Sequence, residues 1–345
     1  MDLAPLSELP GASYVMPVLN EEAYLGDAVR TILQQDYAGD KELVLALGPS
    51  VDRSDEIAAA LAADDPRVRI VQNPGRDIPI GLNLAIAASR YPVVIRVDAH
   101  SELTPDYTRL GIAALRRTGA ANVGGIMRAA GETPVQRAIA AAYNSPYGLG
   151  GGAYHGDGEA GPAESAYLGI FRREALDAVG GYDEGVRRGE DWELNLRIRR
   201  AGGLIRFEPA LAVTYRPRAS FGDLARQFFA TGAWRAVLVR RHPRETPWRF
   251  FAPGALVLGI ALSLLALTAQ LCGVLGWAWW SILHLAPLAY LAAVAFATTR
   301  LPGLRGARAR WLGAVALVTM HLSWGAGFLF GIAGFAGRAV DRSRV

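Results

Sequence analysis

The chain has 345 residues, a formal net charge of +4 and a hydrophobic fraction of 51%, which is above the usual range for soluble proteins. The apolar excess lies after Arg249. The chain has a single cysteine, Cys272, which excludes a disulfide framework. Basic residues flank the apolar segments, a pattern that favours an anionic membrane surface as a partner. No basic motif interleaved with aromatic residues is present, so we expect no nucleic-acid binding.

The first part of the chain alternates short apolar strands with amphipathic helices. Strands are predicted at residues 13–16, 42–46, 68–71 and 93–97, and helices at residues 22–35, 54–63 and 80–89. Such alternation is typical of a parallel sheet covered by helices on both faces. Ligands of these sheets bind beyond the carboxyl ends of the strands, which is where Asn20, Asp52 and Asp98 fall.

A mixed region follows this alternation. A helix is predicted at residues 134–143, and residues 146–162 form a glycine-rich loop that is either a surface loop or a mobile lid. Further helices are predicted at residues 193–201 and 221–241. The last of these carries aromatic residues on one side and arginines on the other, so it either lies in a membrane interface or is an ordinary packed helix. The polar side chains of the glycine-rich loop at residues 146–162 include Tyr154, His155, Asp157 and Glu159.

Apolar segments close the chain, and they lie at residues 251–269, 274–298 and 311–335. Each approaches or exceeds the roughly 20 residues that cross a bilayer. Arginines between the second and third segments place that link in the cytoplasm. A third full span would put the last arginines outside, against the positive-inside trend, so a bent or re-entrant element is the alternative. These arginines are Arg338, Arg342 and Arg344.

An acidic run follows the fourth predicted strand and reads Val97-Asp98-Ala99-His100. Side chains at positions i and i+2 of an extended backbone point the same way, so Asp98 and His100 are predicted to converge on one metal ion. A carboxylate with an imidazole favours Mn²⁺ over Mg²⁺. The alternatives are a strand-end cap for Asp98 and a hydrogen-bonding loop residue for His100.

A second acidic run, Gly189-Glu190-Asp191-Trp192, begins a helical pattern, where the helix dipole favours carboxylates. In glycosyl transfer from a nucleoside diphosphate, a divalent ion can neutralise the charge of the leaving diphosphate. The acceptor hydroxyl must lose a proton as it attacks, so a positioned carboxylate acts as the general base. Asp191, with Glu190 beside it, is the candidate base. Its alternative is a plain helix N-cap.

Several segments together resemble the family-2 glycosyltransferases with a GT-A fold, in particular the membrane-bound bacterial enzymes of succinoglycan biosynthesis. The resemblance covers roughly residues 12–250. The matching segments are residues 17–22 (Pro-Val-Leu-Asn-Glu-Glu), 73–83, 96–100 (Arg-Val-Asp-Ala-His), 131–148, 189–191 (Gly-Glu-Asp) and 227–234. It implies a mixed α/β sheet with helices on both faces, followed by C-terminal transmembrane helices.

The resemblance also implies a site. Asp191 and Glu190 are the catalytic residues, Asp98 and His100 hold a divalent metal, Mn²⁺ or Mg²⁺, and Leu47 stands where an acid commonly contacts the base of the nucleotide. The donor-binding residues are Pro17, Asn20, Glu21, Asp52, Asn83, Arg96 and Asp98. The acceptor-side residues, in a looser form of a Gln-x-x-Arg-Trp motif, are Gln227, Trp234 and Arg235.

We therefore expect a cytoplasmic catalytic domain at residues 1–219, an amphipathic interfacial helix at 220–249 and a membrane region at 250–345. The implied enzyme is an inverting hexosyltransferase of the bacterial inner membrane. It would move a sugar from a nucleotide-sugar donor to a lipid-linked or glycan acceptor in exopolysaccharide or envelope synthesis. The alternatives are a polyprenyl-phosphate sugar synthase and a catalytically silent membrane scaffold with the same fold.

Overall fold

The computed structural model describes residues 1–149 and 158–339. Tyr154, His155 and Asp157 of the glycine-rich loop, and Arg342 and Arg344 near the end, lie outside the described residues. The chain divides into two compact units. The first contains residues 1–129 and 152–216, and the second contains residues 130–151 and 217–343, in each case as far as they are described.

A nine-stranded sheet forms the first unit, in the order β3-β2-β1-β4-β8-β6-β9-β5 with β7 paired to β9. The strands β3, β2, β1 and β4 are parallel, as the alternation of strands and helices predicts. β8 then runs antiparallel to both β4 and β6, so the sheet is mixed. The strands are β1 Ala12–Val18, β2 Lys41–Leu47, β3 Val68–Gln72, β4 Val93–Arg96, β5 Ser101–Leu103, β6 Asn122–Ala129, β7 Gly161–Pro162, β8 Tyr167–Arg172 and β9 Ile205–Tyr215.

Helices cover both faces of this sheet. Successive side chains of a strand point to opposite faces, and β1 accordingly places Tyr14 in one apolar cluster and Val15 in another. The cluster with Tyr14 includes Leu25 of α1 and Leu115 of α4, whereas the cluster with Val15 includes Leu82 of α3. The helices of this unit are α1 Leu25–Leu33, α2 Ser54–Asp64, α3 Ile78–Ala88, α4 Tyr107–Thr118, α6 Arg173–Val179 and α7 Glu190–Arg200.

The second unit is helical in the part that the structure describes. Three of its segments are long and apolar enough to cross a membrane, namely Trp248–Leu271, Trp277–Arg300 and Ala307–Ile332. The helices are α5 Pro134–Tyr143, α8 Phe221–Arg241, α9 Ala252–Leu271, α10 Trp277–Trp280, α11 Leu285–Arg300 and α12 Ala307–Ile332. Short 3-10 turns lie at Pro243–Glu245, Trp248–Phe251, Ser281–His284 and Ala336–Arg338.

The helix predicted at residues 221–241 is α8, and one side of it packs against α12. Ala236 and Val239 of α8 are buried on this side, in one apolar cluster with Phe328 of α12. Gly327 and Gly331 of α12 leave no room for a Cβ against the backbone of α8, so the two helices approach closely. α8 is therefore a packed helix on this side, and its place in a membrane interface stays a prediction.

Candidate active site

The loops after β1 and β2 lie side by side because the two strands are parallel neighbours. Asn20 adopts a left-handed backbone conformation (φ 55°), which asparagine tolerates better than most residues. Its side-chain oxygen accepts a hydrogen bond from the Val51 amide at 2.7 Å. The Glu21 amide donates to the Ser54 hydroxyl at 2.7 Å, so the two loops are held together at both points.

Asp52 also joins the loop after β2 to the loop after β1. Its carboxylate accepts hydrogen bonds from the amides of Glu22 at 3.1 Å and Ser54 at 3.0 Å. Burial alone would raise the pKa of Asp52, but these hydrogen bonds outweigh it and lower that pKa. An open pocket of about 320 Å³ lies at this edge of the sheet. Its lining residues are Asn20, Glu21, Glu22, Ala23, Tyr24, Val51 and Asp52.

Arg96, the last residue of β4, lies at the centre of an acidic cluster. Its guanidinium pairs with Glu190 at 3.0 Å, with Asp98 at 3.2 Å, and with Asp191 at short range. The ring of Tyr182 lies 5.9 Å from the guanidinium carbon. One arginine thus holds three carboxylates from two distant parts of the chain.

The helix α7 presents two of these carboxylates in its first turn. Gly189 precedes the helix with a left-handed backbone (φ 77°), a conformation that other residues rarely adopt. Glu190 and Asp191 are therefore the first helical residues, where the helix dipole favours negative charge. The sequence-based prediction of a helix that begins at this run is confirmed.

Burial differs between the members of the cluster. The Arg96 side chain is 5% exposed, whereas that of Asp191 is 28% exposed. Burial of Asp191, together with repulsion from Glu190 and Asp98, outweighs the attraction of Arg96 and raises the pKa of Asp191 to about 7. A reachable carboxyl group that titrates near neutrality is suited to accept a proton from a hydroxyl.

Asp98 and His100 do not share an extended strand, so the geometric reason for their convergence was wrong. β4 ends at Arg96, and a turn follows in which the Ser101 amide donates to the Asp98 carbonyl at 2.9 Å. The Asp98 side chain faces Arg96. The His100 Nδ1 atom lies 3.1 Å from the Glu21 carboxylate. Their roles as metal ligands stay a prediction.

Among the described residues, no three or more His, Cys, Asp or Glu side chains are arranged so that they could hold a metal ion by themselves. Mg²⁺, however, is commonly bound by one or two carboxylates together with substrate phosphates. Around Arg96, three carboxylates face one guanidinium, which leaves an excess of negative charge. This excess fits a divalent cation that is completed by a diphosphate.

Asn83 has a position that the sequence did not reveal. Its side-chain amide donates to the Tyr182 carbonyl at 2.9 Å and accepts from the Tyr182 amide at 2.8 Å. It thereby fixes the turn that places Tyr182 on Arg96. No periodic pattern in the sequence identified Tyr182 as a site residue. The glycine pair before it, Gly180 and Gly181, is a local signal of a fixed turn, and both glycines have positive φ in the structure.

The candidate acceptor-side residues belong to α8 in the second unit. Gln227 accepts a hydrogen bond from the Arg218 side chain at 3.2 Å. Trp234 is buried, and the Arg235 guanidinium stacks on the Phe250 ring with 4.4 Å to the ring centroid. Gln227 and Arg235 thus contact residues of their own unit. Pro17 lies inside β1, opposite Ala46 of β2.

Comparison with known proteins identifies the class. The mannosyltransferase PcManGT from Pyrobaculum calidifontis, solved in complex with GDP-Man and Mn²⁺, superimposes with a TM-score of 0.57 at 17% identity, covering 96% of this chain and 89% of that chain. The mixed sheet of this chain therefore has the GT-A fold. The sequence profile of glycosyl transferase family 2 matches residues 13–180.

Two relatives extend this match over most of the chain. The succinoglycan biosynthesis protein ExoA of Rhizobium meliloti is 33% identical over 319 residues, 91% of this chain and 92% of that protein. A Methanococcus voltae dolichyl N-acetyl-alpha-D-glucosaminyl phosphate 3-beta-D-2,3-diacetamido-2,3-dideoxy-beta-D-glucuronosyltransferase is 22% identical, over 69% of this chain and 77% of that enzyme. The chain belongs to glycosyltransferase family 2. It is therefore a glycosyltransferase that is similar to ExoA over most of its length.

Proposed function

We propose that the chain is an inverting, metal-dependent glycosyltransferase that moves a sugar from a nucleotide-sugar donor to a polyprenyl-linked acceptor in bacterial exopolysaccharide or envelope glycan synthesis. The observation that carries this proposal is the position of Asp191. It lies at the start of α7, partly exposed, with a pKa raised to about 7 and its carboxylate held by the buried Arg96.

The donor would bind at the carboxyl ends of β1 and β2. Asn20, Glu21 and Asp52 line the pocket there and are held by hydrogen bonds between the two loops. A site at the ends of parallel strands is the usual position for a nucleotide in sheets of this kind. Asp98, which follows β4, would face the diphosphate, with His100 as the second metal ligand. A divalent cation held there would neutralise the charge that develops on the leaving diphosphate.

Asp191 would act as the general base. Its carboxylate would take the proton of the acceptor hydroxyl while the hydroxyl oxygen forms a bond to the anomeric carbon and the bond to the diphosphate breaks. A single displacement with one base inverts the anomeric centre. Arg96 would be a positioning residue, because its fixed guanidinium holds Asp191 and Glu190 in one orientation.

The acceptor is inferred from the membrane region. Segments that are long and apolar enough to cross a bilayer follow the catalytic part. An enzyme anchored in this way can reach a substrate that is itself confined to the bilayer. The dolichyl phosphate named in the Methanococcus voltae relative supports a lipid-linked acceptor. We accordingly propose a cytoplasmic catalytic domain at residues 1–219, an interfacial helix at 220–249 and an inner-membrane region at 250–345.

The test uses the full-length protein in detergent with a panel of nucleotide sugars. Asp191→Asn keeps the shape of the side chain but removes its basicity, so we expect transfer to fall by about two to four orders of magnitude. Binding of the nucleoside diphosphate should persist. Folding should be little affected, because Arg96 keeps its ion pairs with Glu190 and Asp98. The matched control is Asp27→Asn, at an exposed ion pair with Arg30.

Two results would overturn the assignment. Retention of more than a tenth of wild-type transfer by Asp191→Asn would exclude it as the base. Transfer to polyprenyl phosphate, but not to a polyprenyl-linked sugar, would identify the chain as a polyprenyl-phosphate sugar synthase, since a phosphate acceptor needs no strong base.

A further inference from the structure

The first two apolar segments form an antiparallel hairpin. The Ser263 hydroxyl of α9 lies 2.7 Å from His284 Nδ1, and Gln270 Oε1 lies 2.9 Å from His284 Nε2. Gly259 faces Ala286 in the same antiparallel register. Hydrogen bonds of this kind hold helices together where lipid surrounds them.

One end of the hairpin, which we call its tip, includes Cys272 and the start of α10. The side chains around the tip are exposed, with Leu265 at 67%, Leu271 at 72% and Trp279 at 88%. Such large apolar surfaces are suited to lipid rather than to water. The 20 residues of α9 extend roughly 30 Å, enough to cross the hydrocarbon core of a bilayer.

The opposite end, which we call the base, is where α9 begins and α11 ends. The start of α12 lies at this base. Gly313 of α12 faces Leu301 and Leu304, which follow directly after α11, and a Cβ at Gly313 would come within 2.7 Å of both side chains.

The C-terminal half of α12 lies at the base too. Gly325 packs against the Pro253 carbonyl, in the first turn of α9. The ring of Phe328 stands edge-on to that of Phe251 at 5.6 Å, immediately before α9. Gly313, Gly325 and Phe328 of α12 therefore contact the same end of the hairpin. Between them, His321 contacts the Tyr290 hydroxyl of α11 at 3.1 Å, part of the way towards the tip. A third span would carry the second half of α12 further, to the tip itself.

α8 marks the side of the membrane on which this end lies. It carries charged residues at both ends, including Asp223 and Arg240, and it is not among the segments apolar enough to cross a membrane. The Arg240 guanidinium donates to the Ile332 carbonyl at the end of α12 at 3.1 Å. Arg226 of α8 and Arg338, just after α12, line a common pocket of about 370 Å³.

We infer that α12 does not cross the bilayer. It lies along one membrane surface at the base of the α9–α11 hairpin, and its C-terminal end stays on the same side as α8. Of its apolar stretch 39% is buried by protein, against 17% for each of the other two segments. Arg308 and Arg310 at its start and Arg338 after its end then lie on one side, as the positive-inside trend requires. The lipid that α12 contacts is that of a single leaflet.

The native Cys272 provides the test, because it is exposed at the tip and is the sole cysteine of the chain. Sided membrane vesicles that contain the full-length protein are treated with a membrane-impermeant maleimide, in both orientations. In a Cys272→Ser background, Gly337→Cys reports the end of α12 and Gly222→Cys reports α8. Neither glycine is crowded, since an added Cβ meets nothing within 4 Å at Gly337 and nothing closer than 3.7 Å at Gly222. Ala333→Cys is a second reporter for the end of α12.

We expect Cys272 to react from one side, and Gly337→Cys, Ala333→Cys and Gly222→Cys to react from the other. Full labelling of each variant after detergent permeabilisation controls for accessibility. If Gly337→Cys or Ala333→Cys reacts from the same side as Cys272, then α12 is a third span and the inference is wrong.

Discussion

Arg96 at the end of β4 and Asp191 at the start of α7 form an ion pair across 95 positions of the sequence. The pair is asymmetric, because the arginine is buried and the aspartate is partly exposed. The arginine also contacts Glu190 and Asp98, so its guanidinium cannot move without losing several partners. This arrangement fixes the direction of the Asp191 carboxylate while leaving it open on one side.

The first prediction concerns Arg96. Arg96→Lys keeps one positive charge but cannot bridge three carboxylates in a plane. We expect kcat to fall by about tenfold to a hundredfold, with little change in KM for the donor, since the loss is in the orientation of the base. Steady-state kinetics separate the two parameters, and Arg30→Lys, at an exposed pair, is the control.

A fall that appears only in KM for the donor would instead mean that Arg96 contacts the nucleotide sugar, the role that the family resemblance implies. Arg96→Ala gives a second readout. Added guanidinium should restore part of its activity, if the variant remains folded after the buried partner of the carboxylates is removed.

The second prediction concerns pH. A base acts when it is ionised, and burial raises the pKa of Asp191 to about 7, so fewer molecules carry the active carboxylate at acidic pH. At a fixed metal concentration, kcat/KM should rise about tenfold per pH unit below that value and level off above it. A rate that stays constant down to pH 5, with the protein still monodisperse by size exclusion, would contradict the assignment of Asp191 as the base.

The third prediction concerns the metal. Excess chelator should abolish transfer, and Mn²⁺ should restore it. Asp98→Asn should raise the Mn²⁺ concentration needed for half-maximal activity by about tenfold or more, because a charged ligand is lost. His100→Ala should have a smaller effect, since the imidazole lies against Glu21 rather than beside Asp98. Full activity in chelator would exclude a metal-dependent reaction.

The sequence predicted much of the local structure and little of the site geometry. The apolar runs of β1 to β4 and the helices α5 and α8 could be read from composition and periodicity, because these signals lie within short segments. The antiparallel insertion of β8 between β4 and β6 could not, since pairing between distant strands leaves no local trace.

In the candidate active site, too, the sequence predicted local features but not the contacts between distant residues. The acidic start of α7 was visible as a run of residues, but its contact with Arg96 depends on tertiary packing. The extended strand expected to run through Asp98 and His100 was wrong, because β4 ends two residues before Asp98, and the exact end of a strand is the least predictable part of it. Their roles as metal ligands stay a prediction.

The fourth prediction concerns the contact between α8 and α12. An alanine placed at an exposed helical glycine normally stabilises a helix by up to about 1 kcal/mol. At Gly327 a Cβ would lie 2.7 Å from the carbonyl carbon of Phe229 on α8, a backbone atom that cannot move aside alone. Gly327→Ala should therefore destabilise the protein by about 1–3 kcal/mol, as overpacking does.

Gly259→Ala is the matched control, because its nearest neighbour, the Ala286 side chain, lies 3.9 Å away. Heating the detergent-solubilised protein and measuring the fraction that remains monodisperse compares the two variants. Equal thermal midpoints for both would mean that α8 and α12 are not packed as closely as the structure describes.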